Sequence, residues 1–193
     1  MNGQLQFSAS FKLDAQHLVL EYEVRNQGAS DAYLLNRLFQ SAPEWKMTPD
    51  IIYVQFHRPS ETIVLSKKIA ELPEGKRVTS PVAPFVTPLR AGSSFKEKVQ
   101  IPLPVKEYLQ YPSGTGAEAT ERRKLTYKFV QFRLGYYWKP EGTTEDVRDI
   151  SGTEVVMPRT PPGKPLTFGT LETPSTRLDV PVEDLVPVAA PQR

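Results

Sequence analysis

Apolar and polar residues alternate along much of the chain with the two-residue period of a half-buried β-strand. The pattern is clear at residues 7–13 and 18–25, and the second segment stops at the polar residues 26–31, which suit a turn. Strands are also predicted over residues 32–39, 51–58, 62–69 and 94–103. Residues 125–139 form the strongest predicted strand, because aromatic and β-branched residues occupy both of its faces. The pattern therefore predicts an all-β protein.

Two of these segments need a further argument. Residues 32–39 (AYLLNRLF) are apolar enough for a buried strand or a short helix, and only their context favours the strand. Residues 94–103 include Pro102, and Pro104 follows shortly after. We therefore expect this segment to be an edge strand.

Prolines and glycines mark the predicted loops. Residues 72–88 contain Pro73, Gly75, Pro81, Pro84 and Pro88. Each proline removes a backbone donor, so we expect a long surface crossover there instead of a central strand. Two more loops are predicted at Pro43–Pro49 and at Gly114–Lys124, and the polar, glycine-containing second loop is expected to be mobile.

The C-terminal part of the chain is rich in proline. Short edge strands are expected at Leu166–Glu172 and Leu178–Val182, and residues 183–193 are expected to form an extended, proline-containing tail. The predicted organisation is a single domain over residues 1–182, with its core at about residues 5–139.

Three short segments resemble parts of bacterial immunoglobulin-like domains. Leu20–Gly28 (LEYEVRNQG) is similar to the second strand of such domains, which leaves its sheet at an Asn-x-Gly turn. Pro88–Phe95 is similar to the turn before a later strand, and Tyr127–Tyr137 matches the long central strand. The resemblance spans roughly residues 5–139 and implies an immunoglobulin-like antiparallel β-sandwich. The chain departs from antibody domains because it has no cysteine and so lacks their disulfide between the two sheets.

Composition sets limits on the partners. Hydrophobic residues make up 39% and charged residues 24% of the chain, as in globular proteins. The formal net charge is only +2, so no overall field would attract nucleic acid or an anionic membrane, and we expect neither as a partner. No apolar run approaches the roughly 18 residues of a spanning helix, and the start resembles no signal peptide. We expect a soluble protein, cytoplasmic as written and periplasmic if a signal peptide was removed.

The sequence offers little for catalysis. With no cysteine, a thiol nucleophile and a thiolate zinc site are excluded, and only His17 and His57 titrate near neutrality. No serine-hydrolase elbow, zinc-protease motif or phosphate-binding loop is present. Glu145, Asp146 and Asp149 match no calcium loop. We therefore expect a protein that is not an enzyme, with no cofactor and no metal.

A binding role is the remaining expectation, with a protein as the partner and the three predicted loops as the contact surface. The candidate binding residues are Trp45, Phe85, Leu89, Arg122, Arg123, Lys124 and Trp138. The three basic residues could converge with Lys67 and Lys68 into a basic patch beside aromatic side chains.

Two alternatives to this function stay open. A similar sequence pattern occurs in a bacterial intracellular proteinase inhibitor family, which implies inhibition through a surface loop that holds Phe85 and Leu89. A carbohydrate-binding or hydrolytic β-sandwich, with Trp45 and Trp138 against the sugar, is the second alternative.

Overall fold

The computed structural model of the chain describes residues 5–40, 43–73, 75, 77–78, 82–111 and 120–187. The strands are β1 (Leu5–Leu13), β2 (His17–Asn26), β3 (Ala32–Arg37), β4 (Tyr53–His57), β5 (Thr62–Lys67), β6 (Phe85–Leu89), β7 (Ser94–Pro102), β8 (Val105–Lys106), β9 (Thr120–Trp138), β10 (Thr144–Ile150), β11 (Thr153–Arg159), β12 (Phe168–Glu172) and β13 (Thr176–Pro187). The described residues include a single 3-10 turn at Arg58–Ser60 and no α-helix, so the all-β prediction is confirmed. Within these ranges, no helix is long and apolar enough to cross a membrane.

The smaller of two sheets contains β1, β2 and β7 in that order, and all of its pairs are antiparallel. In the turn between β1 and β2, the Asp14 carboxylate accepts hydrogen bonds from the backbone N–H groups of Gln16 and His17, at 2.8 and 2.7 Å. Aspartate favours such turns because its short side chain reaches backbone donors two and three residues later. β7 lies at the edge of this sheet, as its proline predicts.

The larger sheet has ten strands and is organised around β9, which is 19 residues long. One edge of β9 pairs with β5 over residues 129–134 and with β3 over residues 136–138. The other edge pairs with β13 over residues 120–130 and with β12 over residues 133–137. A single strand therefore aligns four others, which suits a segment with apolar residues on both faces.

The remaining strands extend outward from these four. β6, β11 and β10 continue the sheet beyond β3, while β4 lies beside β5 and β8 beside β13. The β5–β9 and β13–β8 pairs are parallel, although the sequence predicted an antiparallel sandwich. Parallel neighbours need a long connection, and the 68–119 segment between β5 and β9 supplies one.

The two sheets pack face to face, and the main core lies between them. Tyr22 on β2 and Phe132 on β9 represent this packing, because their ring centroids are 4.9 Å apart and they are 3% and 0% exposed. Phe7 on β1 also contacts Phe132, with the centroids 5.9 Å apart. Burial of an aromatic side chain contributes about 1.5–3 kcal/mol, so this trio holds the sheets together as a β-sandwich.

One predicted loop contains a strand. Residues 72–88 were expected to cross the surface without a strand, but Phe85–Leu89 forms β6, with Pro88 opposite Tyr33. β6 tolerates this proline because β11 pairs with it only at Val86, so one side of the strand makes few ladder hydrogen bonds.

Two further segments are more ordered than the sequence predicted. Residues 120–124, expected in a mobile loop, begin β9 because β13 runs beside them, whereas residues 114–119 lie outside the described part of the chain. Residues 183–187, expected in the tail, belong to β13, and residues 188–193 lie outside the description. β13 is also not an edge strand along its whole length, since β8 pairs with it at Val182 and Glu183.

Candidate functional site

The outer face of the large sheet, which is the side turned away from β1, β2 and β7, carries the features that suit binding. Alternation along β9 determines what is exposed there. Val130, Phe132 and Leu134 point into the main core, and Tyr137 belongs to a separate cluster on the opposite side. Gln131, Arg133 and Gly135 alternate with the core residues and so share the side of Tyr137. The outer face holds two depressions with different chemistry.

The first depression, the apolar groove, has a volume of about 260 Å³, and its described lining residues are all apolar or aromatic. Leu35, Val86 and Tyr137 from three neighbouring strands contribute to it. Met157 on β11 and Phe168 on β12 belong to its lining as well. The groove thus crosses the sheet from β11 to β12, and none of its lining residues in the described part of the chain is charged.

Aromatic side chains form a row beside this groove. The rings of Tyr33 and Tyr137 lie 5.2 Å apart, and those of Tyr137 and Phe168 lie 5.5 Å apart in an edge-to-face arrangement. Tyr137 on β9 lies directly opposite both partners in the sheet register. Tyr33 on β3 is its neighbour at one edge of β9, and Phe168 on β12 is its neighbour at the other edge. Phe168 is nevertheless 51% exposed and Leu166 is 40% exposed, which is unusual for side chains of this size.

The second depression, the polar cleft, has a volume of about 160 Å³. Its polar lining includes Tyr53, Gln55, Ser66, Lys68, Tyr111 and Arg133. The strand register explains how these residues meet. Tyr53 on β4 pairs with Ser66 on β5. Ser66 in turn pairs with Arg133 on β9. On the other edge of β9, Arg133 pairs with Glu172 on β12. A polar row therefore crosses four strands of an otherwise apolar sheet.

The charges in and beside the polar cleft are largely matched. Arg133 Nη2 lies 3.3 Å from Glu172 Oε1, and Gln131 donates from Nε2 to the same oxygen at 2.6 Å. Lys68 forms an ion pair with Glu71, which also lines the cleft. The Nε–H group of Arg133 differs from these groups, because it is buried and has no hydrogen-bond partner among the described residues.

Of the aromatic and aliphatic candidates from the sequence, only Phe85 lies at one of these depressions. Phe85 is half-buried in the lining of the apolar groove, and its ring centroid is 5.4 Å from that of Phe39. Leu89 is 1% exposed and belongs to the main core, so a partner cannot reach its side chain. Trp45 and Trp138 are both half-buried, and no aromatic contact joins them within the described ranges. Trp138 packs edge-to-face on Tyr136, with the centroids 5.8 Å apart.

The basic candidates are exposed on the first residues of β9 and have acidic neighbours. Arg122 lies 2.9 Å from Glu183, and Arg123 forms an ion pair with Glu121. Lys124 is opposite Glu183 in the register of β9 and β13. Lys67, expected to join the same basic patch, is fully buried and cannot do so. The alternation of charges on this surface weakens its attraction for an anionic polymer.

The acidic residues of β10 are held by arginines. Glu145 accepts hydrogen bonds from Arg90 Nη2 at 2.5 Å and from the Tyr33 hydroxyl at 2.8 Å. These contacts, chiefly that with Arg90, lower the pKa of Glu145 to about 2. Asp146 contacts Arg148 and Arg159. The described residues contain no group of three or more His, Asp or Glu side chains that could hold a metal ion.

A separate polar cluster is buried between the sheets. Lys67 on β5 and Glu97 on β7 form an ion pair there, and the Tyr22 hydroxyl donates to Glu97 Oε2 at 2.6 Å. Asn36 nearby is 1% exposed, and neither atom of its amide group has a hydrogen-bond partner in the described part of the chain. Solvent does not reach these groups, so the cluster is structural.

Sequence reasoning missed Tyr53, Met157, Arg133 and Phe168, which define the two depressions. One signal for Arg133 was present: Gln131 and Arg133 occupy alternate positions of a strand that is otherwise rich in apolar residues. Polar side chains on one face of a central strand indicate a face that is not fully covered. No such signal marks Phe168, because its exposure depends on tertiary packing.

Comparisons of the chain with family models, with curated proteins and with solved structures find no match.

Proposed function

We propose that the chain is a non-enzymatic binding module that recognises a protein partner through the apolar groove. The observation that carries this proposal is the exposure of Phe168, 51%, at the end of an aromatic row whose other members are buried. Because about half of this ring is already covered, leaving the rest in water forgoes about 1 kcal/mol of burial free energy, and a partner that covers it recovers that amount.

The composition of the groove supports a protein segment with apolar side chains as the occupant. Phe85, Met157 and Phe168 are residue types that are enriched at the centre of protein interfaces. No charged residue is among the described residues of the lining, so an apolar side chain could enter without desolvating a charge there. Concave apolar surfaces with aromatic walls also provide the central contacts that dominate binding free energy.

Exchange of one exposed residue tests this proposal. Phe168→Asp would place a charge in the groove, whereas Leu185→Asp would place the same charge on β13 at a residue that is also 51% exposed. The wild-type protein and both variants are tagged and purified from the native host, and their partners are quantified by mass spectrometry. We expect a stoichiometric protein partner that is retained by Leu185→Asp and lost by Phe168→Asp.

The affinity of that partner gives a second measurement. Purified wild-type protein should bind it at least about tenfold more tightly than Phe168→Asp does, since the lost contact is worth more than about 1.4 kcal/mol. Circular dichroism of each variant checks that the fold is intact. A partner that binds wild type and Phe168→Asp equally would show that the groove is not the contact surface.

The immunoglobulin-like relationship and the other two functions stay predictions. Two facing sheets support an immunoglobulin-like sandwich, although the parallel β5–β9 pair was not expected in it. For proteinase inhibition, Leu89 is buried and Phe85 is the accessible candidate of the two. For binding of a sugar at Trp45 and Trp138, no aromatic contact within the described residues brings the two indoles together, and Trp138 packs on Tyr136.

A further inference from the structure

The polar cleft is a second site, separate from the apolar groove, and its floor is built by the sheet. Tyr53, Ser66 and Arg133 lie on adjacent strands in direct register, so their spacing is fixed by the ladder hydrogen bonds of β4, β5 and β9. Residues 70–73 and 109–111 form the rest of its lining. The Tyr111 hydroxyl at this rim accepts a hydrogen bond from the backbone N–H of Val82 at 2.9 Å.

Several polar side chains in this cleft can form hydrogen bonds with a ligand. The Arg133 side chain lines the cleft and is 34% exposed, so the part of its guanidinium group that solvent reaches can donate to a ligand. The Tyr53 hydroxyl is protonated near neutral pH, as in any tyrosine, and burial raises its pKa further, to about 12. Gln55 adds an amide that both donates and accepts hydrogen bonds.

The charge balance indicates a neutral ligand. Lys68 is paired with Glu71, and Arg133 lies 3.3 Å from Glu172, so each cation beside the cleft already has a carboxylate. An anion would have to compete with these carboxylates, whereas a neutral molecule with many hydroxyl groups needs only hydrogen-bond partners of both kinds.

We propose that the polar cleft binds a neutral carbohydrate, with a hydroxyl group of the sugar accepting from the solvent-exposed part of the Arg133 guanidinium group. A volume of about 160 Å³ equals that of about five water molecules in the liquid, which is room for one sugar ring. Tyrosine rings at Tyr53 and Tyr111 give the ring an apolar face to pack against, and Gln55 and Ser66 give its hydroxyls polar partners. This site is independent of the proposed protein-binding groove.

Nuclear magnetic resonance titration of the ¹⁵N-labelled full chain tests the site. The probes are glucose, galactose, mannose, xylose and N-acetylglucosamine, each also as a disaccharide, with sodium phosphate and sodium acetate as anionic probes. We expect at least one neutral sugar to shift the backbone amide signals of Ser66 and Arg133 and the side-chain amide of Gln55. The anions should leave these signals in place.

A matched pair of variants assigns the contact. Arg133→Lys keeps the positive charge but removes the planar guanidinium group and its donors, and Arg123→Lys makes the same exchange on the same strand outside the cleft. Loss of a hydrogen bond from a charged donor should weaken sugar binding about tenfold in Arg133→Lys and leave it unchanged in Arg123→Lys. Thermal unfolding shows whether both variants remain folded. If Arg133→Lys does not fold, Tyr53→Phe provides a second test of the cleft.

Four results separate support from refutation. Sugar-dependent shifts at the cleft that weaken only with Arg133→Lys, or with Tyr53→Phe, support the proposal. Binding of phosphate or acetate without binding of any sugar would make the cleft an anion site and overturn it. Sugar binding that the cleft variants leave unchanged would place the ligand elsewhere, and a complete lack of response to all probes would also refute the site.

Discussion

Lys67 and Glu97 form an ion pair that joins the two sheets across the core. Lys67 Nζ lies 2.5 Å from Glu97 Oε2, and the two side chains are 0% and 5% exposed. Lys67 also donates to the backbone carbonyl of Pro49 at 2.7 Å, which ties the 43–50 segment to the same point. Burial lowers the pKa of the Lys67 ammonium group, while the Glu97 carboxylate opposes that shift.

Removal of one partner should therefore be far more harmful than removal of both charges. Lys67→Met leaves the buried Glu97 carboxylate with only the half-buried Arg37 as a cation, 3.5 Å away, and we expect the free energy of unfolding in urea to fall by about 3 kcal/mol. Lys67→Met combined with Glu97→Gln removes both charges and keeps an acceptor for Tyr22, so it should be more stable than Lys67→Met alone. A double variant as unstable as the sum of the single variants would contradict this account.

The exposed pair Lys12 and Glu21 provides the control for that experiment. Lys12 Nζ lies 2.8 Å from Glu21, but the lysine side chain is 61% exposed. Lys12→Met should change the free energy of unfolding by less than about 1 kcal/mol, because solvent screens exposed pairs.

Asp184 should be essential to the C-terminal strand. It is 2% exposed, accepts two hydrogen bonds from Arg58 at 3.0 and 2.7 Å, and accepts a third from the Tyr127 hydroxyl at 2.8 Å. Asp184→Ala leaves these donors without their acceptor, and we expect a loss of about 2–4 kcal/mol in urea unfolding. Asp179→Ala, an exposed position on the same strand, should change stability by less than about 0.5 kcal/mol. Equal effects of the two substitutions would refute this role.

Gly135 should not tolerate even an alanine. β5 pairs with β9 as far as Lys67, and the next residue, Lys68, packs closely against Gly135 of β9. A Cβ atom at residue 135 would lie 2.7 Å from Lys68 Cβ and 3.0 Å from Leu35 Cδ1, which is closer than van der Waals contact allows. We expect Gly135→Ala to lower the free energy of unfolding by about 1–3 kcal/mol.

A double variant checks the cause of that loss. Lys68→Gly removes the clashing Cβ atom, so it should cost less in the Gly135→Ala background than in the wild-type protein. Thr170 on β12 is exposed and lies opposite Gly135, so Thr170→Ala is the control. It should change the free energy of unfolding by less than about 0.5 kcal/mol. If Lys68→Gly costs the same in both backgrounds, the contact with Lys68 is not the reason.

Glu145 should make stability depend on acidic pH. Its pKa is lowered from 4.5 to about 2 in the folded protein, chiefly by Arg90, so its contribution is complete above about pH 5 and disappears as the pH falls through about 2. Arg90 is 48% exposed, and after allowance for solvent screening we expect about 1–2 kcal/mol. Urea unfolding of wild type and Glu145→Gln should differ by this amount at pH 7 and converge near pH 2.

The matched control for this pH series is Glu141→Gln, at a side chain that is 92% exposed. Its difference from wild type should stay small at every pH. A difference between wild type and Glu145→Gln that is the same at pH 7 and pH 2 would show that the carboxylate charge does not stabilise the fold.

Local patterns in the sequence predicted most strands but not their partners. The alternation at residues 7–13 and 18–25 identified β1 and β2, because each of these strands has one face on the core. Periodicity reports the burial of a face and contains no information on which strand lies beside it. The parallel β5–β9 pair was therefore beyond sequence reasoning, as was the course of β13 between β9 and β8.

The candidate site was predicted less well than the fold, for a physical reason. Aromatic residues were natural candidates for binding, yet most aromatic residues of a sandwich pack between or across its sheets. Residue type alone does not tell that Leu89 is buried and Trp138 half-buried whereas Phe168 is exposed. The exposure of each side chain depends on how β9, β11 and β12 align. Among the seven candidates, Phe85 alone lies in the lining of the apolar groove.

The position of β9 also sets the order in which the protein can fold. β3 and β5 are synthesised long before residues 120–138, and the partner strands β12 and β13 come after them. The large sheet can therefore close only after residues 120–187 have left the ribosome, and its closure must bring distant segments together at a cost in loop entropy. Until then β3 and β5 lack β9 as their partner along one edge. Because of this one central strand, we expect slow folding and a need for protection from aggregation.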